Sequence, residues 1–143
     1  MTSRRDFLKQ SCTACAMVAG FGFLLSQESC STPSTAMKVA ATNGQLTLPL
    51  SAFADQKTLV VREANMKNDI LLVRKSAEEV QAFLMKCTHK GGSLRKSNDI
   101  LICNLHGSNF NLEGNVIKEP AKNSLHQFPV RIDGQNLFVT INA

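Results

Sequence analysis

Cys87-Thr88-His89 and Cys103-Asn104-Leu105-His106 are separated by thirteen residues in a chain of 143 that holds five cysteines and three histidines in all. No other feature restricts the fold as much, because two thiols and two imidazoles that must meet oblige the chain to return to one place twice. A lone pair of cysteines in an exported domain would ordinarily be read as a disulfide. The histidine two or three residues after each cysteine points instead to four ligands around one small inorganic centre. Gly91-Gly92 follows the first pair and Gly107-Ser108 the second. Glycine beside a ligand lets the backbone take positive φ and approach the centre closely. Each half therefore reads as a loop carrying one thiolate and one imidazole, the two joined by a hairpin whose second strand is Ile100–Cys103. Ligand chemistry alone leaves the metal open, since two sulfurs and two nitrogens suit tetrahedral zinc as readily as iron and sulfide.

The rest of the chain is patterned for short strands. β-rich runs recur at 45–50, 58–62, 70–74, 80–85, 100–103, 116–118, 128–132 and 137–141, separated by turn formers such as Lys67-Asn68-Asp69, Ser97-Asn98-Asp99, Glu113-Gly114-Asn115 and Asp133-Gly134-Gln135. This predicts an all-β domain. Residues 76–85 carry a competing signal, because Ser76 and Glu79 have the spacing of a helix capping box, but Val80 onward is read as a strand leading into Cys87. A chain of this length with 43% hydrophobic residues supports one domain with a modest core.

CTHKGG, then CNLHGSNF, then Glu119-Pro120-Ala121 resemble the Rieske iron-sulfur family, whose pattern is C-x-H-x-G, a spacer, C-x-x-H-G-S-x-F/Y and a proline-containing third loop. The likeness runs from about Ile70 to Ile141. It implies a Rieske-like fold of short antiparallel strands with a small cluster-binding part at about 85–122, and one 2Fe-2S cluster per chain. It further implies that Cys87 and Cys103 hold one iron and His89 and His106 the other, with Gly91, Gly107 and Ser108 lining the cofactor and Ser108 available to bond a bridging sulfide. Replacing two anionic thiolates by neutral imidazoles raises the potential over all-cysteine clusters, so the expected work is electron transfer. The protein is then a redox component rather than a stand-alone catalyst; a structural zinc domain is the non-redox alternative.

Two departures from the family's quinol-oxidising members stand out. The positions of their bracing disulfide are Gly92 and Leu105 here, both cysteines being replaced together, and their sulfur-bonding tyrosine is Phe110. Losing a donor to sulfur disfavours the more negative reduced cluster, so a potential toward the lower part of the Rieske range is expected.

Residues 1–30 read as an address. Ser3-Arg4-Arg5-Asp6-Phe7-Leu8-Lys9 followed by the apolar stretch 11–25 resembles a twin-arginine export signal, and that stretch falls short of the ~20 residues that span a bilayer. Residues 31–43 read as a linker and 44–143 as the Rieske domain. Membrane association is expected either through the N-terminal segment or through lipid on Cys30, although Gln27-Glu28-Ser29 is a poor lipobox. Cys12 and Cys15 lie within the apolar stretch and read as small hydrophobes. The expected site of action is the outer, periplasmic side of the cytoplasmic membrane.

A net charge of +5 is too sparse for a nucleic-acid binder, and Trp and Tyr are absent. Lys86, Lys90, Arg95 and Lys96 gather near the first loop and would steer an acidic redox partner, such as a c-type cytochrome. The alternative is a subunit of an oxidoreductase complex, either quinol-cytochrome c reductase or one like arsenite oxidase. His126 reads as an ordinary strand or surface histidine.

Overall fold

The computed structural model describes residues 36–142; the export-signal reading, Cys12, Cys15 and Cys30 lie outside the described residues. The chain runs through β1 (Met37–Lys38), β2 (Gln45–Pro49), a 3-10 turn (Leu50–Phe53), β3 (Thr58–Arg62), β4 (Ile70–Arg74) and β5 (Val80–Leu84). Then follow β6 (Leu94–Ser97), β7 (Ile100–Cys103), β8 (Asn109–Asn111), β9 (Val116–Lys118), β10 (Gln127–Phe128), β11 (Val130–Asp133) and β12 (Asn136–Thr140). The all-β expectation is met, and Val80–Leu84 is a strand rather than a helical turn.

These strands form three sheets, ordered β1-β3-β4-β5-β10, β11-β12-β2 and β6-β7-β8-β9. The five-stranded sheet is the middle layer, and β4 shows why. Ile70, Leu71, Leu72 and Val73 are all fully buried, so this strand has no solvent face. Alternation divides them: Ile70 and Leu72 pack with Leu46, Leu48, Phe53, Leu137 and Val139 of the three-stranded side. Leu71 and Val73 pack with Leu101, Phe110, Cys87 and Cys103 of the four-stranded side. A continuous apolar run in place of an in-out alternation is the sequence of a strand covered on both faces, and each such burial stabilises by roughly 1.5–3 kcal/mol.

Three local expectations are corrected. Leu50 starts a 3-10 turn instead of ending β2, its N–H donating to the Gln135 carbonyl at 2.8 Å. The run 128–132 is broken at Pro129, which has no N–H for a ladder; before it β10 pairs with β5, after it β11 pairs with β12, so the chain changes sheets there. Met37–Lys38, within the stretch read as linker, pairs in parallel with Val61 and Arg62 of β3.

Candidate functional site

The two motif loops grow out of the four-stranded sheet, whose first hairpin, β6–β7, turns at Asn98-Asp99 with Asn98 at φ +50°. The first loop leaves β5 and enters β6; the second leaves β7 and enters β8. Both close in the same way. In the first, the Cys87 carbonyl accepts the Gly91 N–H at 2.8 Å and the Cys87 N–H donates to the Gly92 carbonyl at 2.7 Å. In the second, the Cys103 carbonyl accepts the Gly107 N–H at 3.0 Å and the Cys103 N–H donates to the Ser108 carbonyl at 2.9 Å. Gly91 and Gly107, each four residues after its cysteine, have φ +72° and +76°. The two loops thus share one backbone knuckle although their histidines fall at different offsets. Positive φ at that fourth position is the physical reason for glycine in both motifs.

Cys87 and Cys103 are free thiols, 3% and 1% exposed. Both belong to the buried cluster that holds Leu101 and Phe110, and the rings of His89 and His106 stand 5.0 Å apart at 76°. The histidines are not equivalent: His106 is exposed, His89 only half so. The Nδ1 of His89 is buried and has no hydrogen-bond partner. An unpaired buried ring nitrogen costs about 1–3 kcal/mol unless something else satisfies it, and beside two buried thiols a metal is the group whose chemistry answers that need.

A third loop braces the first two. Thr88 Oγ1 donates to the Asn123 carbonyl at 2.6 Å, and the Ala121 N–H donates to Ser108 Oγ at 2.9 Å. Ser108 is fully buried. Beneath the first loop the buried Asn68 donates to Ser93 Oγ at 2.8 Å, with a longer contact to the Met85 carbonyl. Sequence reasoning found the proline loop but missed Thr88, Asn123 and Asn68. Thr88 is the variable residue of C-x-H, and Asn68 looked only like a turn former, so neither carried a signal of its own.

Of the predicted cations, Lys86, Lys90 and Arg95 are exposed and Lys96 is half-buried; Lys122 of the third loop adds another. Arg95 Nε reaches Asn104 Oδ1 at 3.4 Å, leaning toward the second loop. His126 lies outside the loops, exposed, its ring edge-on to Phe128 at 4.7 Å.

The family model for the Rieske [2Fe-2S] domain matches residues 48–129, more than half of the chain. The chain belongs to the Rieske family. Membership implies one 2Fe-2S cluster per chain, and the buried thiols and orphaned imidazole nitrogen of the paired loops fit such a group. The Rieske fold is also seen among solved structures. The plasma membrane Rieske protein PetC3 of the cyanobacterium Synechocystis PCC 6803 is 23% identical, with TM-score 0.52 over 64% of this chain and 93% of that one. A chain from the complex of reduced oxygenase and oxidized ferredoxin in carbazole 1,9a-dioxygenase is 20% identical, with TM-score 0.51 over 69% of this chain and 94% of that one. Naphthalene 1,2-dioxygenase is 16% identical, with TM-score 0.54 over 68% of this chain but 26% of its own. No curated protein matches the sequence. This Rieske chain therefore belongs to a family of electron-transfer domains found both as separate proteins and inside larger oxygenases.

Proposed function

We propose that this Rieske protein is an electron carrier exported in folded form and working on the outer side of the cytoplasmic membrane. In this reading Cys87 and Cys103 hold one iron, and His89 and His106 hold the other through ring nitrogens. The observation that carries the ligand assignment is the buried, partnerless Nδ1 of His89 set beside two buried free thiols. When bound, the cluster supplies reversible one-electron transfer at a potential raised by its two neutral ligands. The protein's own part is to hold the thiolate side dry and the imidazole side near solvent. His106, the more exposed of the two rings, would be the port through which an electron leaves or arrives. The Ser108 hydroxyl, its oxygen already accepting from Ala121, keeps its proton free to donate toward a bridging sulfide.

Export is supported by the Arg4-Arg5 motif and its apolar sequel, and the membrane setting by the likeness to a plasma membrane Rieske protein. The cations around the loops favour a partner with an acidic face over an uncharged one. A redox relay needs no substrate pocket of its own, and a cavity of about 450 Å³ lined by Asp55, Lys57, Arg74 and Lys75 lies away from the paired loops.

Iron and acid-labile sulfide, measured on the full chain purified anaerobically, test the assignment. Two of each per chain and a rhombic paramagnetic signal on reduction are expected. A protein holding one zinc and no sulfide would sink it.

A further inference from the structure

Gly92 is a glycine for a different reason from Gly91 and Gly107. Its φ lies outside the left-handed region, so any residue could adopt its backbone; what it lacks is room. A Cβ there would stand 2.6 Å from Leu105 Cδ1, 2.9 Å from Leu105 Cγ and 3.1 Å from Cys103 Sγ. Leu105, at the tip of the second loop, thus lays its branched end against the bare Cα of Gly92 in the first, directly beside the Cys103 sulfur. Among the described residues Leu105 is one of few large apolar side chains left open, 61% exposed, yet Gly92 beneath it is buried and Cys103 only 1% exposed.

We infer that the Leu105–Gly92 contact is a non-covalent clasp, which holds the tips of the two ligand loops together and roofs the Cys103 sulfur against water and attacking reagents. The clasp acts by exclusion. Leu105 would be a positioning residue, touching no iron itself, and its effect falls mainly on the Cys103 thiol, whose Sγ stands 3.1 Å from where a Gly92 Cβ would be, whereas Cys87 meets Gly92 through its backbone N–H at 2.7 Å. A leucine exposed only to meet a partner would have no reason to rest on a glycine that has space for nothing else. The roof is a property of the loops and rests on the proposed function only in making Cys103 a ligand.

The test uses the full chain with its cluster, as Leu105→Ala, Gly92→Ala and Leu105→Met. Two readouts are taken in one time course under an iron chelator: the half-time of the visible absorbance, and the ratio of iodoacetamide labelling at Cys103 to that at Cys87. For Leu105→Ala the half-time should shorten about tenfold and the ratio rise to match, the factor for losing roughly 1.4 kcal/mol of apolar contact. Leu105→Met should restore both, and the potential of Leu105→Ala should move upward as water reaches the sulfur. Gly92→Ala, which puts a methyl 2.6 Å from Leu105 Cδ1 and so forces Leu105 off its seat, should give the same signature from the opposite loop. An unchanged ratio in Leu105→Ala, or an equal rise at both cysteines, overturns the clasp. Were the unmutated chain to bind no iron, the proposed function would fall alone, because the labelling ratio of the protein as purified still reports the roof.

Discussion

The hydroxyl oxygen of Ser108 accepts the backbone N–H of Ala121 at 2.9 Å in a fully buried setting, joining the second ligand loop to the proline loop. One atom therefore serves two purposes: its lone pair secures the third loop, and its proton remains for the cofactor. Ser108→Ala should separate them. Stranding the Ala121 N–H costs about 1–3 kcal/mol, so the melting temperature should fall. Loss of a donor to sulfide should also lower the reduction potential, because the more negative reduced state depends on it more. Calorimetry and protein-film voltammetry on one sample read both; a lower melting temperature with an unmoved potential would show that the serine is structural only.

Phe110 is wholly buried, pairing with Leu101 across β7 and β8. Where relatives of the quinol-oxidising type have tyrosine, it presents no hydroxyl to a ligand sulfur. The potential of the unmutated protein is accordingly expected in the lower part of the Rieske range, and Phe110→Tyr should raise it. Voltammetry decides the matter, and a fall or no change would mean that the phenol points elsewhere.

Much of this architecture was legible in the sequence, and where it was not the reasons are physical. Ile70 to Arg74 reads as one β-rich run among several; its unbroken apolar stretch, buried on both faces, leaves nothing for polar residues to do. The ligand motifs announced themselves because positive φ at Gly91 and Gly107 restricts residue choice so severely. Strand β6 is implied as the first arm of the hairpin ending in Ile100–Cys103 but given no residues of its own: Leu94 is its one buried side chain, and Arg95 and Lys96 give it the look of a loop. Strand β8 is three residues long with only Phe110 inside, so periodicity had nothing to count. The two-residue Asn98-Asp99 turn, which pairs Ser97 with Ile100, fixes where that first arm ends. Contacts such as Thr88 to Asn123 join loops far apart in the chain, and no local pattern encodes them.

Lys75, just past β4, donates to Glu113 in the β8–β9 turn at 2.5 Å, tying the middle sheet to the cluster-binding sheet. The hydrogen bond from Lys75 holds the Glu113 carboxyl below its ordinary range. A depressed carboxyl contributes stability that is present above its unfolded value and lost as the pH falls through the folded one. Glu113→Gln should therefore melt slightly lower than the unmutated protein at neutral pH, and the difference should close as the pH drops through and below about 4.3, the ordinary glutamate value. The pair is exposed, so the effect is small and should shrink with salt. Melting curves at several pH values check this; a gap that widened in acid would have the wrong sign.

Lys90 lies in the first ligand loop, next in sequence to His89, and Lys122 in the third, both exposed. If these cations steer an acidic partner, reversing them must slow encounter and leave the cluster alone. Electrostatic steering raises association rates by about 10–10³, so Lys90→Glu combined with Lys122→Glu should cut the second-order rate of electron transfer to an acidic c-type cytochrome about tenfold at low ionic strength. Near 1 M salt, where the screening length is about 3 Å, the variant and the unmutated rates should converge. Stopped-flow measurements across a salt series, with voltammetry to show an unchanged potential, separate steering from damage to the centre. A rate deficit that persisted undiminished at high salt would count against charge as its cause.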